Sequence, residues 1–364
     1  MGRVAYVVSP HGFGHAARAC AVMAEMRRIR STIHFEVFTE VPRWFFAESL
    51  PRCFSYHHLV SDVGLVQISP LLEDPQATVD RLDEMWRDGT RAEDLAARLR
   101  ELDCSVVVVD VSPLGLAAAN AVSLPTVLVE NFTWDWIYAR HPDAPPTLRE
   151  HGRRMAGLFT SAALRIQTDP ICEYSPTALR VPPVARAPHD GKTTTRKKLG
   201  VPADDTMIVV SMGGVPWDYG AFSRLERSDG PWIVVPGGSA GRKARRRGRL
   251  VLLPFHAEIY HPDLVEASDV VVSKLGYSTV AETYRSGAAL AYVARPRFPE
   301  SPVLARWVDE HMGAAEISEE ALQDGSWLET AKILLASPRG KPAGPDGAVQ
   351  AAESILERFG SVLD

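Results

Sequence analysis

Short runs of β-branched residues recur along this chain, separated by stretches of helical periodicity. The plainest run is Val106–Asp110, VVVVD. A strand with no polar alternation is buried on both faces, which points to a parallel sheet covered by helices. The same pattern predicts strands at Arg3–Ser9, Ile33–Thr39, Pro125–Glu130 and Leu164–Thr168, with helices over about Ala16–Arg30 and Leu114–Val122. The stretch Arg180–Asp205 breaks the rhythm with Pro182, Pro183, Pro188, Pro202 and the polar run DGKTTTRKK, and it reads as a linker. The alternation then resumes at Met207–Met212, Trp232–Pro236, Arg249–Phe255, Val270–Ser273 and Ala289–Arg295. The 364 residues suit about two domains. The expected architecture is α/β, with two Rossmann-like doubly wound domains, 1–185 and 186–345, facing each other across a cleft. A helix near Ala348–Phe359, within 346–364, has room to return to the first domain. Ligands in such sheets bind at the carboxyl ends of strands, near a topological switch point.

Composition narrows the function classes. With 46% hydrophobic and 23% charged residues, the chain can bury sizeable cores and is not a disordered protein. A net charge of −5 sets a general nucleic-acid binder at a disadvantage. No apolar run approaches the ~18 residues of a membrane span, and MGRVAYVVSPHGFGH lacks a signal-peptide pattern. Cys20, Cys53, Cys104 and Cys172 are far apart, so they read as reduced thiols of a cytoplasmic protein and not as a zinc site. The basic run Arg242–Arg249 reads as a solvated loop, or more sharply as a contact for an anionic acceptor. Oligomeric state is not legible.

Three junctions carry chemistry. The first strand runs into His11-Gly12-Phe13-Gly14-His15 and then a helix. Gly12 and Gly14 let the backbone approach a ligand, but Ala17 stands where a dinucleotide motif needs its third glycine. His15 suits a general base taking a proton from an acceptor hydroxyl, or else only caps the helix. Asp110 either orients His15 as an Asp–His pair or caps the next helix. Gly213 and Gly214, after Met207–Met212, form a second glycine turn. The strongest local signal is Ser273–Glu282, SKLGYSTVAE. Lys274 supplies a point charge for phosphate, while Gly276, Ser278 and Thr279 fall at a helix start that favours an anion. Glu282 suits ribose hydroxyls, the alternative being a capping pair.

This segment resembles the donor-binding signature HCGWNS-glutamate of GT-B glycosyltransferases, with Lys274 in place of the histidine and Gly276, Tyr277, Ser278 and Glu282 at matching spacing. Phe255, His256 and the following His261-Pro262 resemble the base-binding loop of that signature, and GFGH resembles the base loop of the peptidoglycan GlcNAc transferases. A closer resemblance covers nearly the whole chain. It is to the glycosyltransferase-like N-terminal half of L-arabinokinases and their stand-alone bacterial relatives. It is carried by HGFGHAAR (His11–Arg18), Val63–Gln67, Val109–Pro113, Asn131–Ala139, SKLGYSTVAE and Arg297–Pro302. The sugar-kinase half has no counterpart here, so arabinose phosphorylation does not carry over. The resemblance implies a GT-B fold, a nucleotide-sugar donor site and a transferase with no cofactor.

On the acceptor side, Asn131, Trp134 and Asp135 offer an aromatic face and hydroxyl partners, or form an aromatic plug between helices. His11, Phe298 and Glu300 join them as candidate acceptor contacts. No metal is expected: the acid pair Asp80 and Asp83 lacks the spacing of a DxD site, and helix dipoles can neutralise a leaving diphosphate. The reading is a metal-independent inverting transferase that moves a sugar from a UDP-sugar to a small-molecule acceptor. The alternatives are a GT-B-type epimerase or hydrolase, which needs extra carboxylates, and a non-catalytic sugar-nucleotide-binding protein.

Overall fold

The computed structural model describes residues 2–50, 52–69, 71–87, 89–213, 225, 230–336, 340–342 and 346–363. The chain divides into two compact units. Unit 1 comprises Met1–Arg186, Arg297–Glu300 and Pro345–Asp364, and unit 2 comprises Ala187–Pro296 and Ser301–Gly344.

Unit 1 contains β1 (Arg3–Val8), β2 (His34–Thr39), β3 (Phe54–His58), a small hairpin of β4 (Val66–Ser69) and β5 (Leu72–Asp74), then β6 (Val106–Asp110), β7 (Thr126–Glu130), β8 (Leu164–Thr168) and β9 (Leu179–Val181). Seven of these form one parallel sheet in the order β3-β2-β1-β6-β7-β8-β9. The valines of β6 are fully buried, as a strand covered on both faces requires. On one face the helix Gly14–Ile29 presents Ala16, Ala19, Cys20, Met23 and Met26. The helix Gly347–Phe359 joins it in the same core through Ala348, Ala351, Ala352 and Ile355. Its first residue leaves no room for a side chain, because a Cβ on Gly347 would lie 2.0 Å from the Pro182 carbonyl oxygen.

Unit 2 contains β10 (Met207–Ser211), β11 (Trp232–Ser239), β12 (Arg245–Arg247), β13 (Leu250–Pro254), β14 (Val270–Lys274), β15 (Ala289–Val293) and β16 (Ala314–Glu316). Their order is β12-β13-β11-β10-β14-β15-β16, with β12 alone antiparallel to its neighbour. In each unit the strand order reverses beside the first strand: between β1 and β6 in unit 1, and between β10 and β14 in unit 2. Those are the switch points where α/β sheets bind ligands.

Two segments differ from the sequence expectation. Inside the presumed linker, Lys192–Leu199 is a helix that buries Thr195, Arg196 and Leu199 and ends on left-handed Gly200. The Arg196 guanidinium donates to the carbonyls of Ala267, Ala203 and Asp205 and to Asp269, which fixes the helix against unit 2. The basic run is not a plain loop either. Arg245–Arg247 is the exposed edge strand β12, and Arg246 and Arg249 stack their guanidiniums over Trp232. Charged side chains on an edge strand block sheet-to-sheet pairing.

Candidate functional site

At the unit 1 switch point the chain turns off β1 through Gly12, held at φ 69°, into a helix that starts at Gly14 with no side-chain cap. Buried His15 therefore does not cap that helix. Its Nδ1 lies 2.8 Å from Asp110 Oδ1 at the end of β6. A carboxylate only accepts, so Nδ1 carries the proton and Nε2 keeps its lone pair. Asp110 does not cap the next helix; Ser112 does, accepting from the Gly115 amide. Between them Val111 sits at φ 59°, a strained conformation for a β-branched residue.

Arg18, one turn beyond His15 and 1% exposed, completes the cluster. Its Nε donates to Asp110 Oδ2 at 2.8 Å and its Nη2 to Oδ1 at 2.7 Å. Nη2 is 3.4 Å from His15 Nδ1, so the carboxylate takes that donor. Burial alone would raise the Asp110 carboxyl; the Arg18 charge and the His15 bond outweigh it and hold the group below its ordinary range. The network continues from Arg18 Nη1 to Asn131 Oδ1 at 2.7 Å, and from Asn131 Nδ2 to Glu300 Oε1 at 2.7 Å.

The expected acceptor residues thus come together, but mostly as supports. Asn131 and Glu300 are buried in this network. Trp134 is fully covered, edge-on to His11 and Phe132 and stacked on Tyr138, so its ring is a plug and offers no face to a sugar. Phe298 is 1% exposed and stacks parallel to His11 at 6.0 Å. Asp135 lies in the first turn of the helix Trp134–Arg140 and is partly buried. Of the group, His11 lines a cavity in unit 1, together with Gly12, Phe13 and Asp62.

At the unit 2 switch point, β14 ends on Lys274, and Gly276 begins the helix Tyr277–Ser286. The N-cap residue is a glycine, which has no side chain to cap with, and no acidic residue lies in the first turn. The capping-box alternative is therefore absent. A Cβ built on Gly276 meets nothing within 4 Å. Ser278 and Thr279 are partly exposed, whereas Tyr277 is buried. Lys274 leans over the neighbouring turn, where Gly213 takes φ 68° and a Cβ would sit 3.4 Å from the lysine Cε. Gly214 lies outside the described residues. Glu282 is 4% exposed and 3.1 Å from His261 Nδ1, whose Nε2 is 3.3 Å from Ser211 Oγ. This chain of contacts engages Glu282 with His261 and, through it, Ser211. At the end of β13, Phe255 is 45% exposed, with His256 edge-on to it.

Sequence reading singled out His15 and Asp110, and placed His261 in the base-binding-loop resemblance, but gave no role to Arg18 or Asp62. Arg18 had a signal: a cation one turn from His15 on an otherwise apolar helix face. Asp62, a lone acid in a loop, had none.

Two mainly parallel sheets, each with a ligand-type loop pair at its switch point, form the GT-B fold. The solved structures that resemble the chain agree. Arabidopsis thaliana UGT89C1 complexed with UDP superposes with a TM-score of 0.63 at 12% identity, over 99% of this chain and 100% of that one. The glycosyltransferase SnogD from Streptomyces nogalater gives 0.55 at 15% identity, over 98% and 99%. A UDP-glucose: anthocyanidin 3-O-glucosyltransferase in complex with UDP gives 0.59 at 14% identity, over 99% of each chain. In sequence, the chain is similar to L-arabinokinase of Arabidopsis thaliana, 28% identical over an alignment of 369 residues that covers 97% of this chain. The chain spans about a third (34%) of the length of that relative. No protein-family model matches the chain.

Proposed function

We propose that the protein transfers a sugar from a nucleoside-diphosphate sugar, with a UDP-sugar favoured, to a small-molecule acceptor. The observation that carries this reading is the glycine-led helix start at Gly276–Tyr277, with no acid in its first turn, Lys274 just before it and open space above the glycine. Helix N–H groups and an ammonium together suit a diphosphate and disperse its charge as it leaves, with no metal ion required. Exposed Phe255 gives a nucleobase a ring to stack on. Relatives of this fold solved with UDP support that nucleotide.

In this reading His15 Nε2 takes the proton of an acceptor hydroxyl. The hydroxyl oxygen bonds to the anomeric carbon as the bond to the diphosphate breaks, with inversion. Asp110 holds the histidine tautomer and stabilises the imidazolium. One observation favours a second reading, a non-catalytic nucleotide-sugar binder: Arg18 donates twice to Asp110 and draws off charge that would otherwise support the base.

Thermal unfolding with added UDP tests the donor site. Binding to the folded state stabilises it by RT ln(1 + [L]/Kd). Lys274→Ala should need at least about tenfold more UDP for the same stabilisation, the loss of one charge-assisted hydrogen bond. Absence of any UDP effect on the wild type would remove the donor assignment. Sugar release from UDP-sugars, with or without acceptor, then separates transferase from binder.

A further inference from the structure

Unit 1 holds a cavity of about 680 Å³ beyond the ends of β1, β2 and β3, within the ~300–1,000 Å³ of small-molecule sites. Part of its lining is apolar. Beside His11, its polar lining is Glu40, Asp62, Gln67, Arg81, Glu84 and Arg91. Among the described residues, Arg81, Glu84 and Arg91 make no ion pair.

Asp62 is 2% exposed yet borders this space. Its Oδ1 accepts from the Val63 amide at 2.7 Å and the Gly64 amide at 3.4 Å. The loop is fixed from behind. Tyr138 donates its hydroxyl to the Gly64 carbonyl at 2.7 Å. Gly64 takes φ 64°, and a Cβ there would strike the His11 ring at 2.8 Å. The carboxylate is therefore held in place before any ligand arrives. Burial pushes it up to about 6, against the bonds from the loop amides.

A flat polyphenol entering this space would strip water from carboxylates and guanidiniums and return few hydrogen bonds. A polyol returns them. A carboxylate accepts from two neighbouring hydroxyls, a guanidinium or amide donates to them, and the apolar part of the lining covers the C–H face.

We propose that this cavity binds a compact polyhydroxylated molecule of the sugar class, with Asp62, Arg81 and Arg91 setting that specificity. Its standing as the acceptor rests on the transfer reading above; the binding itself does not.

Saturation-transfer NMR on the full chain, without donor, reads this directly. The probe is a mixture of free pentoses, hexoses, hexuronates and quercetin. Saturation of one or more sugars and none of quercetin is expected. Affinity should fall roughly tenfold or more in Arg81→Leu and in Arg91→Leu, as for a lost charge-assisted bond, with circular dichroism melts confirming that both variants fold. Saturation of quercetin alone, or of no probe, overturns the proposal, as does a sugar signal unchanged in both variants. If sugars bind but UDP leaves thermal unfolding unchanged, the cavity assignment stands and the transfer reading falls. If UDP stabilises and no sugar binds, the reverse holds.

Discussion

The two switch points share a strand order but treat charge in opposite ways. In unit 1, the cation beyond the glycines is Arg18, buried and bonded to Asp110 and Asn131. In unit 2 it is Lys274, half-buried just before a glycine-led helix start. At the unit 1 switch point Asp110 accepts from both His15 and Arg18, which holds the imidazole in one orientation. Unit 2 begins its helix on a glycine, with no acid in the first turn, and a helix start of that kind favours an anion. The same topology thus gives a preorganised set of protein groups on one side and an anion-favouring helix start on the other.

The sharpest break of this contrast is His15→Ala. It should cut turnover by roughly 10²–10⁴-fold while UDP stabilisation stays intact. Turnover above half of wild type would move the base elsewhere, with His11 the next candidate. Arg18→Met comes next. It leaves the Asp110 charge buried without its main partner, and urea unfolding at pH 7 should register a loss of about 3–5 kcal/mol. The equivalent change in unit 2, Lys274→Met, should cost no more than about 1 kcal/mol of folding stability, since a partly exposed cation is removed. Equal losses would erase the distinction between the two sites.

Two of the buried carboxyls of unit 1, Asp110 and Asp62, are displaced in opposite senses. Asp110 is held below its ordinary value, so its contribution is present above that value and is lost as pH falls through the folded pKa. Asp62 is raised from 3.8 to about 6, so its contribution is present below its unfolded value and is lost as pH rises through about 6. That displacement corresponds to roughly 3 kcal/mol. Unfolding free energies of wild type and Asp62→Asn, compared from about pH 4 to pH 7, should diverge in favour of the variant as pH rises. Parallel curves would show that Asp62 is solvated.

The smallest effect is expected at Gly276→Ala. Its backbone is extended and its Cβ position open, so stability should change by no more than about 0.5 kcal/mol. UDP affinity should still fall, because the methyl group stands where a phosphate approaches. Unchanged affinity by calorimetry would shift the diphosphate away from this turn.

Much of this arrangement is legible before any coordinates. Strands such as Val106–Asp110 announce themselves because burial on both faces admits only apolar residues, and the glycine junctions mark where backbone meets ligand. The helix Lys192–Leu199 was hidden because its buried set includes the polar residues Thr195 and Arg196, and Arg196 is held by Ala267 and Asp269, far along the chain. Trp134 misled for the same reason. An aromatic cluster reads alike whether it faces a sugar or packs on His11 and Tyr138. Arg18 stands one turn from His15, but its partners Asp110 and Asn131 lie far along the chain, and Asp62 gains its setting from the cavity that Arg81 and Arg91 also line.

The division of the chain has a consequence for biosynthesis. Unit 2 is encoded inside unit 1, and the apolar stripe of the helix Gly14–Ile29 is covered in part by Gly347–Phe359. A nascent chain exposes that stripe while the whole of unit 2 is translated, a delay on the order of 10–30 s at bacterial to eukaryotic elongation rates. Unit 2 is complete once Gly344 has been made, whereas unit 1 then still lacks Pro345–Asp364. The unit begun first is therefore the one whose core is closed last.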